Sequence, residues 1–204
     1  MPAAKQIDFY LDFTSPYAYL ASTQIEALAA RQNSVVNWRP FLIGASFKIS
    51  GRKAPIEHPL VRDYTLNDVQ RYARLLGQPL NFPLKFPILS VKPGRCFYYL
   101  EQRDNNQKAA KQFAAEVFRA YFVERKDVSK TEVLGELLAP YDVGPDELNA
   151  MMASPEIKQL FRAAVDQALQ RQVFGAPMFI VDGEMFWGVD RMAHLEQWLQ
   201  TGGW

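Results

Sequence analysis

Asp12-Phe13-Thr14-Ser15-Pro16-Tyr17 joins an apolar alternating run to an amphipathic one, and the reading of the fold turns on it. Upstream, Ile7-Asp8-Phe9-Tyr10-Leu11-Asp12-Phe13 alternates as a half-buried strand does. Ser15-Pro16 is a helix-start signal: serine suits the N-cap, and proline at N1 already has helical φ and gives up no hydrogen bond. Beyond it Ala18, Ala21, Ile25 and Leu28 fall on one face of a single predicted helix. The join therefore places a hydroxyl beside unpaired backbone N–H groups at the positive end of a helix. Such a serine is either a plain cap or part of a site for an anion, whether carboxylate, phosphate or thiolate. The stretch alone leaves both readings open.

Working outward, Val35-Val36-Asn37-Trp38-Arg39-Pro40-Phe41 reads as a second strand that Pro40 ends or places at an edge. With the first strand and helix it makes a β-α-β unit with parallel strands and a right-handed crossover. Ile43 to Pro55 reads as a long irregular loop, made basic by Lys48, Arg52 and Lys53 and suited to an acidic small ligand. From Leu60 to about Leu169 the pattern is helical. One helix runs from Val61 to Leu76 and ends at Gly77, and another resumes near Gly94 with a break at Asp104-Asn105-Asn106. Ser129-Lys130-Thr131-Glu132 has the form of a capping box, and Ser154-Pro155 opens a longer helix. Strands return in Met178-Phe179-Ile180-Val181 and Glu184-Met185-Phe186-Trp187, and Asp182-Gly183 between them predicts a type I′ hairpin. Gly188-Val189-Asp190-Arg191 opens a last helix. The two ends of the chain must then share one sheet, with the helical block as an excursion from its middle.

Composition narrows the function classes. A chain of 204 residues, 49% hydrophobic by class, can bury a core as one domain with an insertion or as two small ones. A net charge of +1, no run of Lys or Arg, and aromatics set in apolar periodic segments give no case for a nucleic-acid partner. Met1-Pro2-Ala3-Ala4-Lys5-Gln6 leads straight into the strand, and no stretch reads as a signal peptide or membrane span. No membrane partner is expected, and the expected location is cytoplasmic. The one cysteine, Cys96, excludes an intrachain disulfide and a dithiol redox pair; its neighbours Phe97, Tyr98, Tyr99 and Leu100 mark it as a buried structural thiol. No metal site is read.

The order β-α-β, helical block, β-β-α is that of a thioredoxin-like α/β fold with an inserted all-helical domain. Phe174-Gly175-Ala176-Pro177-Met178-Phe179 resembles the segment in which that fold keeps a cis-proline. More narrowly, the chain resembles the 2-hydroxychromene-2-carboxylate isomerases and the kappa-class glutathione transferases. The resemblance rests on Phe9 to Tyr17, Arg39-Pro40, Phe174 to Pro177, and Phe186-Trp187-Gly188-Val189-Asp190-Arg191-Met192, and spans Ile7 to about Trp198. It implies a thioredoxin-like part made of residues 1–58 and 172–204 and a helical domain at 59–171.

The resemblance further implies glutathione as cofactor, with Ser15 as the catalytic group holding its sulfur as thiolate. Ser15-Pro16-Tyr17-Ala18 stands where a thioredoxin has its cysteine pair, so the sulfur must come from the ligand. Ala176, before Pro177, would pair with the extended tripeptide, Val189 and Asp190 would hold its γ-glutamyl end, and Pro16, Tyr17, Pro177, Trp187 and Gly188 are further glutathione-binding candidates. Arg52 stands where such relatives often have Asn. Lys48 would meet the carboxylate of an aromatic substrate, and Tyr17, Phe47 and Trp187 are candidates for an aromatic pocket or for plain core. A homodimer is implied as well. Three function classes follow: a glutathione-dependent isomerase, a transferase or peroxidase that consumes glutathione, and a binding module without catalysis.

Overall fold

The computed structural model describes residues 4–204; Met1, Pro2 and Ala3, which the sequence reading sends straight into the first strand, lie outside it. The opening unit is β1 (Gln6–Leu11), α1 (Pro16–Ser22), α2 (Ile25–Arg31) and β2 (Val35–Pro40). Seven helices follow: α3 (Ile43–Ser50), α4 (Arg62–Leu75), α5 (Val91–Asp104), α6 (Lys108–Phe122), α7 (Thr131–Leu138), α8 (Pro145–Ala153) and α9 (Pro155–Gln170). The chain closes with β3 (Met178–Val181), β4 (Glu184–Trp187) and α10 (Met192–Thr201). The four strands form one mixed sheet in the order β2-β1-β3-β4. β1 runs parallel to β2 and antiparallel to β3, and β3 pairs with β4 through the Asp182-Gly183 turn, where both residues have positive φ (53° and 87°) as a type I′ turn demands. Among the described residues no helix is long and apolar enough to cross a membrane.

Three local expectations fail, each for a physical reason. The opening helix is two: Ser22 and Thr23 turn their hydroxyls back to the carbonyls of Tyr19 and Leu20, and the axis breaks before Ile25, although Ala18, Ala21, Ile25 and Leu28 are all buried as the periodicity requires. The stretch from Ile43 is no loop but a helix through Ser50, closed by Gly51 at φ +70°. Its first amide is satisfied by the carboxylate of Asp12, thirty-one residues upstream, so no local cap announces it. Ser129 does not cap α7; it turns back onto the Asp127 carboxylate, and Lys130 holds the N-cap position without a side-chain bond. Ser154 does cap α9, its Oγ accepting from the Ile157 N–H at 3.3 Å.

One continuous hydrophobic cluster joins the sheet to the helical block. Phe9 of β1 lies between Trp38 of β2 and Phe179 of β3, with ring centroids 5.2 Å away on each side. Phe13 and Tyr19 reach Phe118 and Phe122 of α6, at 5.2 Å and 5.6 Å, so the floor beneath the first turn is aromatic and dry. Pro40 is the last residue of β2, which is an edge strand. That edge is covered by side chains of α6 and the residue before it. The Gln107 amide accepts from Trp38 N–H at 2.9 Å and donates to Trp38 C=O at 3.0 Å, as a neighbouring strand would, and Lys111 donates to the Val36 carbonyl. Gln107→Ala therefore leaves two strand groups unpaired. Urea unfolding should show a loss of about 1–2 kcal/mol, and light scattering on heating should show earlier aggregation than for the wild type.

Candidate active site

Asp12, only 3% exposed, sets the turn that carries Ser15. Its Oδ1 accepts from Thr14 N–H, from Thr14 Oγ1 and from Ser90 Oγ beside α5, and its Oδ2 from Ile43 N–H at the start of α3, all at 2.8 Å. A buried carboxylate is tolerated when donors replace its hydration, and four do so here. The Ser15 N–H in turn donates to the Asp12 carbonyl at 2.9 Å. Ser15 is thereby held as the N-cap of α1, with extended backbone and its Oγ accepting from Ala18 N–H at 3.1 Å.

The same hydroxyl donates to the carbonyl of Ala176 at 2.9 Å, across 161 positions of sequence. The Ala176–Pro177 peptide bond is cis, as the resemblance implied. The segment leading into it is anchored at Arg171, whose guanidinium pairs with Asp8 and donates to the Tyr10 hydroxyl at 2.9 Å. On its far side the Gly188 N–H donates to the Pro177 carbonyl at 3.0 Å. Gly175 has no side chain because the Trp187 indole lies where a Cβ would be. Phe174 meets that indole edge-on at 5.0 Å, and the Arg52 guanidinium stands 5.7 Å above its ring. Gly188 has φ +109°, and a Cβ there would strike the Asp190 carboxylate. Asp190 itself is half-exposed and pairs with Arg191 at 3.2 Å.

A second wall comes from α4. The Tyr17 hydroxyl donates to Asp68 at 2.6 Å, and Asp68 also pairs with Arg71 at 3.0 Å. Burial, then that donation to a carboxylate, push the Tyr17 phenol well above its ordinary value. The Tyr72 ring meets Tyr17 edge-on at 6.3 Å; burial, then the charges of Asp190 and Asp68, raise its phenol too, which sets it between carboxylates of two segments. Sequence reasoning overlooked this wall. The signal was available: Tyr64, Asp68, Arg71 and Tyr72 recur at i, i+4, i+7 and i+8, a polar-aromatic face on a helix whose buried residues are Val69 and Ala73.

The structure thus gathers Ser15, Pro16, Tyr17, Ala176, Pro177, Trp187, Gly188, Val189, Asp190 and Arg52 around one turn. It leaves Lys48 aside, exposed on the last turn of α3. Of the candidates for an aromatic pocket or plain core, Tyr17 meets Tyr72, Trp187 meets Phe174, and Phe47 is half-buried. Surface concavities of about 740 Å³ between α7 and α8 and about 580 Å³ beside Trp38 and Lys111 do not include Ser15. Cys96 is fully buried, and burial pushes its thiol far up, out of reach of thiolate chemistry.

Residues 6–200 match the family model described as the DSBA-like thioredoxin domain. The chain is also 32% identical over 199 residues to 2-hydroxychromene-2-carboxylate isomerase of Sphingobium xenophagum, covering 96% of this chain and 98% of that one. The chain belongs to the DSBA-like thioredoxin family, in its 2-hydroxychromene-2-carboxylate isomerase branch. Glutathione S-transferase kappa 2 of Caenorhabditis elegans is 25% identical over 212 residues, covering 98% and 93% of the two chains. The solved structure of selenomethionine 2-hydroxychromene-2-carboxylate isomerase superposes with a TM-score of 0.81 at 26% identity, covering 96% of this chain and 94% of that one. Within this family architecture Asp12 is the group whose loss should be felt first. Asp12→Ala strands the Ile43 and Thr14 amides and the Ser90 hydroxyl, and should cost about 3–5 kcal/mol in urea unfolding. Hydrogen exchange at Ile43 should rise more than exchange in β1, because α3 loses its only side-chain cap.

Proposed function

We propose that this protein is a glutathione-dependent isomerase that interconverts 2-hydroxychromene-2-carboxylate, or a close aromatic analogue, and trans-o-hydroxybenzylidenepyruvate. The observation that carries the reading is the hydrogen bond between Ser15 and the carbonyl before the cis-proline, which joins a hydroxyl donor to a peptide group able to pair with an extended ligand. The names of the isomerase and kappa-transferase relatives support glutathione as that ligand.

Ser15 Oγ, with the first-turn amides of α1, stabilises the sulfur as thiolate. Asp190 accepts from the γ-glutamyl ammonium, Val189 and Gly188 flank it, and Arg52, beside Trp187, supplies positive charge for a carboxylate. Bound there, glutathione would supply a reversible nucleophile: once the ring C–O bond of the chromene breaks and its hydroxyl proton passes to the phenolate oxygen, the thiolate would add to the conjugated carbon of the cis keto acid, the resulting enolate could rotate about the bond now single, and elimination would return the thiolate and the trans isomer. Glutathione is returned unchanged. Trp187 and Phe174 offer an aromatic face to the substrate ring.

The kappa relative favours a second reading, a transferase in which the C–S bond persists. One experiment separates the two: glutathione is titrated while thiolate absorbance is followed, then 2-hydroxychromene-2-carboxylate is added and total free thiol is measured. Conversion at constant thiol is the expected result; thiol lost in proportion to product would replace isomerase by transferase. Ser15→Ala should lower turnover about a hundredfold while unfolding about 2–3 kcal/mol more easily, since it loses a cap and leaves the Ala176 carbonyl unpaired. Wild-type turnover in that variant would remove Ser15 from the mechanism.

A further inference from the structure

We infer that the Ala176 carbonyl selects which thiols this site activates, by holding the Ser15 proton until an amide N–H of the ligand takes its place. The inference rests on the reading of Ser15 as the thiolate-stabilising group and adds a condition to it.

A serine hydroxyl has one proton to give. Here it goes to the Ala176 carbonyl at 2.9 Å, while a lone pair receives the Ala18 N–H at 3.1 Å. A thiolate accepts hydrogen bonds and cannot donate one, so a sulfur arriving at Ser15 in this arrangement finds no proton offered by the hydroxyl. A neutral thiol could still donate to the remaining lone pair, which would favour the protonated form. For Ser15 to stabilise the thiolate, its O–H must turn away from Ala176, and the abandoned carbonyl must then be paired by something else. Ser15 is 9% exposed and Ala176 7%, so bulk water is a poor replacement, and Pro177, the next residue, has no N–H to offer. Among the described residues the Ala176 N–H finds no backbone acceptor, so it is open to a ligand strand, and the carbonyl becomes open to one once Ser15 turns away.

A thiol whose neighbouring carbon carries an amide N–H, as in an N-acylated cysteine, can make the exchange. Its N–H bonds the Ala176 carbonyl, and Ser15 then turns its O–H to the sulfur. The thiol proton leaves to solvent, and no other bond is made or broken. A thiol of the same shape without that N–H leaves the hydroxyl where it is. Selection for peptide thiols over simple ones thus lies in the protonation state of the bound sulfur as well as in affinity.

The test compares glutathione with its depsipeptide analogue, in which the cysteine N–H is replaced by an ester oxygen. Each is bound to saturation and the bound thiol is titrated by ultraviolet absorbance. Glutathione should titrate at least about one unit below its value in solution. The analogue should bind about tenfold more weakly and titrate within about half a unit of its own solution value. Equal thiolate from both ligands would overturn the inference and leave the proposed function standing. Loss of analogue binding beyond about a thousandfold would also overturn it, since one exchanged neutral hydrogen bond is worth far less. Glutathione that bound without forming thiolate, or did not bind, would bring down the proposed function and this inference with it.

Discussion

The carboxylate of Asp12 is the constraint on which the site depends. Burying a charge costs several kcal/mol unless its hydration is replaced, and the replacement comes from three places: the turn at Thr14, the first amide of α3 at Ile43, and Ser90 at the start of α5. None of these donors can be withdrawn cheaply. The charge therefore fixes the end of β1, the start of α3 and the start of α5 against one another. The aromatic floor of Phe13, Tyr19, Phe118 and Phe122 supplies area but little direction. Hydrogen bonds to Asp12 supply the direction, and Ser15 inherits it.

The other half of the site comes from the opposite end of the chain, and strand register brings it into place. Tyr10 of β1 faces Met178 of β3 in an antiparallel ladder, so the residues before Met178 run alongside those after Tyr10. Ala176 thereby comes opposite the turn that Asp12 organises. Arg171 fastens the approach to this segment, since its guanidinium joins Asp8 and Tyr10 at the moment the chain leaves α9. Gly175 and Gly188 then let the backbone pass under Trp187 and beside Asp190, where any side chain would collide. Two anchors on one strand, Asp8 and Asp12, thus hold both sides of a contact between residues 161 positions apart.

What could be read from the sequence was what neighbours in sequence decide. The β1 strand, the Ser15-Pro16 start, the Asp182-Gly183 hairpin and the Ser154 cap are local matters, and all stand in the structure, although β1 is not half-buried as its alternation implies: Phe9, Tyr10 and Leu11 are all covered, because the helices close both faces. Likeness to a family carried the cis-proline. The failures share a cause. α3 was taken for a loop because its cap is a distant carboxylate, and the α1–α2 break arises from hydroxyls that bond backward although the apolar periodicity continues through them. Ser129 had a nearer partner in Asp127 than the amide of a capping box. The α4 wall goes unread because the sequence reading takes only the ends of that helix, at Val61 and Gly77, while Asp68 and Tyr72, which reach Tyr17, lie within it.

The chemistry open to this family member follows from where sulfur is and is not. Its one cysteine lies buried in α5 with the thiol pushed far from ionisation, and the position at the head of α1 is a serine, which no thiol–disulfide exchange can use. On the proposed reading, a thioredoxin-like scaffold that keeps the cis-proline peptide and a hydroxyl donor, but has no reactive sulfur of its own, holds the sulfur of its ligand instead. Under the proposed reaction that makes the sulfur a diffusible part of the catalyst, and a thiolate that adds must also be able to leave. The donor beside it must then be strong enough to favour the anion and weak enough to let the C–S bond form and break. A neutral serine hydroxyl, once turned from the carbonyl to the sulfur, has that intermediate strength, whereas a buried cation in its place would hold the thiolate too well to let it add.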